Sequence, residues 1–285
     1  MKRVLLPYDF SPCARRALAL ALSGVPFGPE VMIDALHIID DTLYQRKLPG
    51  HEPPTADALK SYFKADVARA STPERRVSEA PTLTIAHGRP AHEILARLSG
   101  CGGIMLGGQG HGGLSEKFLG TTAMRVTREA PVSVYVAKKT STLAAPTRVL
   151  CAVDSDDSSR RALEEAYALC RQANASFSLL RSIALTALYG DWPVMVPFSE
   201  AWTVDAERER LISFEVATLK GNFAGRHDVQ FSFGGIAGDI TNRAMLDRID
   251  TIVVGARNES VSKSLLGSVS ESVVQRAPCD VYVVR

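Results

Sequence analysis

A glycine-rich stretch is the part of this sequence whose residue types and spacing could do chemistry. Positions 104 to 122 read IMLGGQGHGGLSEKFLGTT: an apolar segment, five glycines in seven residues and, after a polar turn, a Gly-Thr pair. Glycine lets the main chain approach a ligand closely, and converging backbone N–H groups at a helix start bind anions. The stretch therefore predicts a phosphate-binding loop, with a glycine-rich surface turn as the alternative.

Two well-known phosphate-binding loops do not fit this stretch. Gly108, Gly110 and Gly113 have the GxGxxG spacing. A dinucleotide fingerprint, however, lies in the first strand-to-helix turn and is followed by an acidic residue that ends the next strand. Here several elements come earlier, and Glu129 precedes its strand. No lysine precedes Thr121, so the GxxxxGK[ST] loop is also absent.

Composition narrows the class of partner. The 285 residues are 46% hydrophobic and 22% charged, with a formal net charge of +2. This balance argues against nucleic acid or an anionic membrane as the main partner. The opening residues MKR run straight into an apolar strand, and no apolar run approaches membrane-spanning length. We therefore expect no signal peptide, no membrane span and a cytoplasmic protein.

The five cysteines and six histidines show no metal-binding spacing, since no CxxC occurs and no histidine lies at ligand distance along the chain. We therefore expect no metal site and reduced, packed thiols. Cys13 lies at a predicted helix start, where a lowered thiol pKa is the alternative.

The chain contains an internal repeat. Seven residues of the first segment recur at a constant offset of 145: Val4, Leu5, Asp9, Arg15, Arg16, Ala17 and Leu18 match Val149, Leu150, Asp154, Arg160, Arg161, Ala162 and Leu163. Further matches follow in the same order, including Gly120-Thr121 with Gly267-Ser268. We therefore predict two copies of one domain at 1–140 and 147–285, joined by a small-residue linker at 141–146.

The alternation of apolar runs and helical patterns predicts the fold of each copy. In the first copy we expect strands at about 2–8, 30–38, 82–87, 103–107 and 132–137, and helices at about 12–24, 56–71, 90–99 and 120–130. Continuous apolar strands favour a parallel sheet covered on both faces. The prediction is α/β: two tandem open doubly wound domains, each a five-stranded parallel sheet of order 3-2-1-4-5. Asp9 and Gly107 then flank the switch point, where ligands bind.

Two long connections stand out, at 40–57 and 184–205. Connections of this length are commonly lids or interface segments. The second is unusually apolar, with Leu188, Tyr189 and Trp192 among its residues. This composition favours a core or interface role over a lid.

Three motifs in order resemble the universal stress protein family in tandem form. They are Pro-x-Asp-x-Ser at Pro7, Gly-x-x-Gly at Gly107 with Gly-Thr nine residues after it, and a closing Ala-Pro-Val strand at Ala130. The resemblance covers nearly the whole chain. It implies five-stranded α/β domains that pair through their last strands and bind ATP or AMP in some members and no nucleotide in others. It also implies roles in survival under stress, generally without strong catalysis.

The resemblance implies candidate nucleotide contacts in the first copy: Pro7, Asp9, Ile38, Leu106, Gly107, Gly110, Gly120, Thr121 and Thr122. Asp9 would accept hydrogen bonds from ribose hydroxyls, with a helix cap as the alternative. Pro7 and Ile38 would line the adenine, Ile38 through its backbone, with a purely core role for Ile38 as the alternative. The remaining residues would surround the ribose and phosphates of ATP or AMP, with or without Mg²⁺. Gln109 and His111 could reach phosphate or lie in solvent.

The second copy departs from the pattern. Its weaker candidates are Asp154, Gly255, Asn258, Gly267 and Ser268. Asn258 replaces the second glycine, and the loop is one residue shorter, which would displace the phosphate-facing N–H groups. Arg181 replaces the residue matching His37, just before Ser182. Our hypothesis is that the first half binds nucleotide and that the second is weakened or serves pairing and regulation.

These observations predict a stress-response protein that binds an adenine nucleotide mainly in its N-terminal domain and acts as a sensor or regulator. No general base or activated nucleophile is evident, so at most slow ATP hydrolysis or self-phosphorylation is expected, with Glu116 and Lys117 the charged candidates in the loop. The two copies would form an internal pseudo-dimer, and by resemblance whole chains could form a further homodimer. The alternative is an interaction scaffold that binds a protein or another small ligand.

Overall fold

The computed structural model describes residues 2–41, 53–71, 79–110, 119–138, 144–154, 157–184, 204–219, 228–256 and 266–285. Its strands are β1 Lys2–Pro7, β2 Val31–Ile39, β3 Thr82–His87, β4 Gly103–Gly107, β5 Val134–Ala137, β6 Arg148–Ala152, β7 Ser176–Ala184, β8 Asp228–Gly234, β9 Thr251–Gly255 and β10 Asp280–Val284. Its helices are α1 Pro12–Leu22, α2 Ala56–Ala70, α3 Pro90–Ala96, α4 Thr121–Glu129, α5 Asp157–Ala173, α6 Val204–Leu219, α7 Ile236–Leu246 and α8 Ser268–Arg276.

The element ends in the first copy lie within three residues of the sequence prediction. The largest difference is α3, which was expected to reach residue 99 and ends at Ala96. Arg97, with a φ of −101° and a ψ of 4°, already leaves helical geometry. A separate turn from Leu98 to Cys101 then leads into β4, and its Gly100 has a φ of +75°, a conformation that favours glycine.

The ten strands form one sheet of order β3-β2-β1-β4-β5-β10-β9-β6-β7-β8. Within each half all neighbouring strands are parallel and follow the order 3-2-1-4-5, which confirms the predicted fold class. The halves meet where β5 pairs with β10 in antiparallel fashion, with Val136 opposite Val281 and Tyr135 opposite Tyr282. The two predicted sheets are therefore joined edge to edge. The predicted boundaries, 1–140 and 147–285 around the linker 141–146, stay a prediction.

Helices cover both faces of this sheet. One apolar cluster packs beneath α1, α2, α5 and α6, and the other packs beneath α3, α4, α7 and α8. Each cluster contains residues of both halves, for example Leu6 and Val149 in the first and Ile104 and Ile252 in the second. Burial on both faces explains why the strands read as continuous apolar runs. The two halves therefore share their cores across the central strand pair.

The strand order places two switch points in the sheet. The first lies between β1 and β4, and the second lies between β6 and β9. Because the halves are antiparallel to each other, the two sets of carboxyl ends open at opposite edges of the sheet. Parallel α/β sheets bind ligands beyond the carboxyl ends at such points. Each half thus offers one candidate cleft.

Some sequence predictions fall on residues outside the described part of the chain. These are most of the two long connections, residues 42–52 and 185–203, together with the loop residues His111, Glu116 and Lys117 and the second-copy candidate Asn258. Among the residues that the structure does describe, no helix combines the length and the apolar character needed to cross a bilayer.

A buried carboxyl group in α6 makes the stability of the fold depend on pH. Glu215 is 1% exposed, and burial raises the pKa of its carboxyl from 4.5 to about 7. Between these two pKa values the folded chain binds more protons than the unfolded chain. The contribution of Glu215 to the free energy of unfolding is therefore greatest below about pH 4.5 and declines as the pH rises through 7.

Replacing Glu215 with glutamine is expected to remove this dependence. Between pH 5 and pH 8 the free energy of unfolding of Glu215→Gln should increase relative to that of the original chain, because glutamine does not ionise. Urea denaturation at several pH values measures the free energy of unfolding of both proteins. Glu209→Gln, on the exposed side of α6, is the matched control. A relative stability that does not change with pH would contradict the prediction.

Candidate functional site

The carboxyl ends of β1 and β4 open into a cavity of about 550 Å³. Side chains and backbone from β1, β2, β4 and the starts of α3 and α4 form its walls. All nine candidate contacts of the first copy line it: Pro7, Asp9, Ile38, Leu106, Gly107, Gly110, Gly120, Thr121 and Thr122. The structure therefore brings together residues that lie more than 100 positions apart in the sequence.

The turn that carries Asp9 is held on both sides by aromatic residues. Tyr8 is buried, and its hydroxyl donates a hydrogen bond to Asp66 Oδ2 of α2 at 2.8 Å. This burial and the neighbouring carboxylate hold the pKa of Tyr8 well above its usual value. Phe10 has a φ of +63° and packs edge to face on Tyr8, with ring centroids 5.0 Å apart. Between these anchored residues, Asp9 lies at the wall of the cavity.

The two carboxylate oxygens of Asp9 have different surroundings. Its Oδ1 accepts a hydrogen bond from the Ser11 N–H at 3.0 Å, while Ser11 itself caps α1 by accepting from the Ala14 N–H at 3.2 Å. Asp9 thus supports the capping turn, and Ser11 is the cap. Oδ2 faces the glycine loop, where a Cβ on Gly110 would lie only 2.7 Å away. The loop can pass this close to the carboxylate because residue 110 has no side chain.

Apolar residues form the opposite wall. Leu36 and Ile38 point into the cavity from β2, Leu106 from β4 and Ile94 from α3. Leu36, Ile94 and Leu106 are buried, whereas Ile38 is partly exposed at the rim. An apolar wall opposite a few polar groups is the usual build of a small-molecule site.

The base of the glycine loop is closed by backbone contacts. Gly108 donates its N–H to Ala137 O at 2.7 Å, and Gly120 donates its N–H to Gly108 O at 2.8 Å. At Gly107 an added Cβ would lie 2.8 Å from Ala14 N, so the end of β4 packs directly on the start of α1. Both ends of the loop are therefore fixed on the sheet.

The helix that follows the loop directs its positive end at the cavity. α4 begins after Gly120, and among the described residues no side chain caps it. The backbone N–H groups of Thr121, Thr122 and Ala123 have no acceptor within the helix, and all three residues line the cavity. Such a helix start attracts anions.

The second copy forms a smaller cavity of about 130 Å³ at the carboxyl ends of β6 and β9. Four of its five candidates line it, namely Asp154, Gly255, Gly267 and Ser268. The fifth, Asn258, lies outside the described residues.

Three replacements distinguish the second cavity from the first. Arg181, which stands where the first half has His37, places Nη1 3.4 Å from Asp154 Oδ1. Ser182, in the place of Ile38, donates its hydroxyl to Asp239 Oδ2 at 2.7 Å. Ser270, in the place of Ala123, donates its hydroxyl to Gly255 O at 2.7 Å. Ser182 and Ser270, which line the second cavity, therefore direct their hydroxyls at neighbouring polar groups.

Metal-binding clusters and cysteine thiols are two further kinds of site that the described residues could form. Among them no group of three or more histidine, cysteine, aspartate or glutamate side chains could hold a metal ion. All five cysteines are buried, and none of them forms a disulfide. Burial raises the pKa of the Cys13 thiol, so the start of α1 does not activate it.

Sequence reasoning missed several residues that line the first cavity: Tyr8, Leu36, Pro90, Ile94, Gly108, Leu119 and Ala123. Two of them carried a usable signal. Leu36 lies two positions before Ile38 and therefore on the same face of β2. Ile94 lies one helical turn after Pro90.

Comparison with known proteins gives the family. The model of the universal stress protein family matches the chain twice, at residues 1–138 and 146–285. The chain belongs to the universal stress protein family. The two matches make it a tandem member with two domains, as its motifs predicted.

Single-domain members of the universal stress protein family are similar to about half of the chain. Universal stress protein YxiE of Bacillus subtilis is 32% identical over 145 residues, which is 48% of this chain and 98% of that protein. A universal stress protein of Thermus aquaticus is 32% identical over 138 residues, 48% of this chain and 97% of its own length.

Solved structures that resemble the whole chain include the following two. A universal stress protein from Archaeoglobus fulgidus has a TM-score of 0.65 at 21% identity and covers 99% of this chain and 98% of its own. A functionally unknown protein from Pseudomonas aeruginosa PAO1 has a TM-score of 0.69 at 18% identity, with coverage of 100% and 92%. At this identity the likeness shows the fold.

Proposed function

We propose that the first cleft binds an adenine nucleotide, ATP or AMP, and that the protein acts in the cytoplasm as a nucleotide-dependent sensor or regulator of a stress response. One observation carries the proposal: the nine residues named from the sequence all line a single cavity of about 550 Å³. This volume lies within the roughly 300–1,000 Å³ range of small-molecule sites.

The walls of the first cleft suit the three parts of a nucleotide. The apolar wall formed by Leu36, Ile38 and Ile94 would pack against the base. The carboxylate of Asp9 would accept hydrogen bonds from the ribose hydroxyls. The N–H groups at the start of α4, together with the Thr121 hydroxyl, would bind phosphate oxygens. The ribose and phosphate roles use residues that were named from the sequence, whereas Leu36 and Ile94 were identified from the structure.

The proposed nucleotide binding is confined to the first half of the chain. The second cavity, at about 130 Å³, is smaller than a typical small-molecule site, and Arg181 lies beside its carboxylate. We therefore propose one nucleotide per chain, with the second half serving to pair with the first. Because β5 and β10 pair internally, the proposal requires no second chain.

Counting bound nucleotide tests the proposal. The protein is purified without added nucleotide and denatured, and released nucleotide is identified by chromatography and mass spectrometry. Titration calorimetry with ATP, ADP, AMP and cyclic AMP follows. About one adenine nucleotide per chain is the expected result. Two per chain would show that the second cleft also binds. None, with no binding on titration, would favour the interaction scaffold.

A matched pair of variants locates the nucleotide. Gly120→Leu places a side chain against Gly108 O, which a Cβ would approach to 3.4 Å, and so obstructs the first cleft. Gly267→Leu makes the same change at the start of α8. Both positions have a φ near −60°, which any residue adopts, so both variants should fold. Nucleotide should be lost only in Gly120→Leu, and its retention there would contradict the proposed site.

A further inference from the structure

One buried carboxylate of the second half accepts hydrogen bonds from the first half. Among the contacts that the structure describes, all of its donors belong to the first half. Asp280 begins β10 and is 0% exposed. It accepts hydrogen bonds from Arg16 Nη2 at 2.6 Å, from the Lys138 N–H at 2.8 Å and from the Tyr135 hydroxyl at 3.1 Å. Arg16 is itself 3% exposed, so this is a buried ion pair across the two halves.

The donors to Asp280 belong to the elements that frame the first cleft. Arg16 lies in α1, whose start packs on Gly107. Lys138 directly follows β5, whose last residue accepts the Gly108 N–H, and the Lys138 side chain passes 3.3 Å from where a Cβ on Gly108 would lie. Asp280 therefore connects α1 to the end of β5, the two elements that contact the Gly107–Gly108 turn.

The equivalent place in the other half keeps the backbone hydrogen bond across the halves but has no carboxylate. Ser133 stands where the repeat would place the counterpart of Asp280, and its hydroxyl oxygen accepts the Arg285 N–H at 3.1 Å. Tyr282, the counterpart of Tyr135, donates its hydroxyl to Glu165 Oε2 at 3.0 Å within its own half. The carboxylate is thus present on the side of the larger cavity and replaced by a hydroxyl on the side of the smaller one.

We propose that Asp280 is a positioning residue for the first cleft, through which the second half controls the affinity of the first half for nucleotide. This inference rests on the proposed nucleotide binding. By holding Arg16 and the backbone at Lys138 together, Asp280 keeps α1 and the end of β5 in place around the glycine turn. Linkage then requires the reverse effect: nucleotide in the first cleft stabilises the pairing of β10 with the first half.

The test compares Asp280→Asn with Glu165→Gln in the full chain. Asparagine has nearly the same shape as aspartate but cannot pair with the Arg16 charge. Coupling between sites typically changes affinity by about 5–150-fold, so we expect nucleotide affinity in Asp280→Asn to fall at least about fivefold. Glu165→Gln alters the carboxylate that accepts the hydroxyl of Tyr282, the counterpart of Tyr135, and should leave the affinity unchanged. Calorimetry well below the unfolding temperature of each variant measures both.

Hydrogen exchange separates positioning from a merely structural role. In the original chain, nucleotide should slow exchange of the backbone amides of β10, although β10 does not line the first cleft. In Asp280→Asn this ligand-dependent protection should disappear. A loss of stability alone would raise exchange with and without nucleotide and leave the difference between the two states intact.

Removing one partner of a buried ion pair is strongly destabilising, so Asp280→Asn could fail to fold. A second variant tests the inference in that case. Arg16→Met with Asp280→Leu replaces the pair by apolar residues, a change that is often neutral for stability. Affinity should fall in this double variant as well. Affinity equal to that of the original chain in either folded variant would overturn the inference. Absence of nucleotide binding by the original chain would instead overturn the proposed function, and the inference with it.

Discussion

Replacing Gly107 with alanine is expected to abolish nucleotide binding, whereas the same replacement at Gly255 is expected to leave it intact. A Cβ on Gly107 would lie 2.8 Å from Ala14 N, and a Cβ on Gly255 would lie 2.7 Å from Ser158 O. In both cases the obstacle is backbone at a helix start, so the strand end and the helix must move apart. Only at Gly107 does this movement widen the base of the cleft that we propose to bind nucleotide.

The two alanine variants are matched controls for each other. Overpacking of this kind typically costs about 1–3 kcal/mol of stability, and the two should lose similar amounts. Urea denaturation measures this loss, and calorimetry with the nucleotide identified in the purified protein measures binding. Unchanged affinity in Gly107→Ala, or a similar loss of affinity in both variants, would contradict a site confined to the first cleft.

Replacing Asp9 with alanine should weaken nucleotide binding by roughly 10–150-fold. Hydrogen bonds to a charged group contribute about 1.5–3 kcal/mol, and every 1.4 kcal/mol is about a factor of ten in affinity. Asp154→Ala in the second half should have no such effect, because its carboxylate lies beside Arg181 and is 75% exposed. Titration of both variants with the same nucleotide measures the difference.

The ribose contact of Asp9 has a sharper test in a double-mutant cycle. The original chain should bind AMP more tightly than the deoxy-AMP, 2′ or 3′, that lacks the hydroxyl bound by Asp9. Asp9→Ala should bind AMP and that deoxy-AMP with equal affinity. This comparison cancels any general disturbance of the Asp9–Ser11 turn, because both ligands experience it. A preference for the ribose hydroxyl that persists in Asp9→Ala would show that another group recognises the sugar.

Much of the fold and part of the site follow from local sequence patterns. The repeat, the element order and the parallel sheet are visible because apolar periodicity, glycines and helix caps act over short distances along the chain. The carboxyl ends of neighbouring parallel strands meet at one edge, which brings Asp9 and Gly107 together. The other candidates of the first copy came from the family resemblance, and they line the same cavity. Their binding role stays a prediction.

The asymmetry between the halves was predicted only in outline. The sequence drew attention to Arg181 and Asn258 as departures from the pattern. It did not show that the hydroxyls of Ser182 and Ser270 would bond to neighbouring groups, nor that the second cavity would be the smaller one. Cavity volume depends on how side chains from several elements pack, and a single substitution changes it without altering any local pattern.

By itself, then, the sequence determined the repeated α/β architecture and the cluster of candidate residues at each switch point. Tertiary structure decided how the two copies join. Antiparallel pairing of β5 with β10 continues one sheet across the chain, and it buries Asp280 against Arg16, 264 positions away. No periodicity links such distant residues, because their contact depends on the docking of two complete domains. A buried charge is costly unless it is paired, and only the tertiary fold decides which residue lies close enough to pair with it.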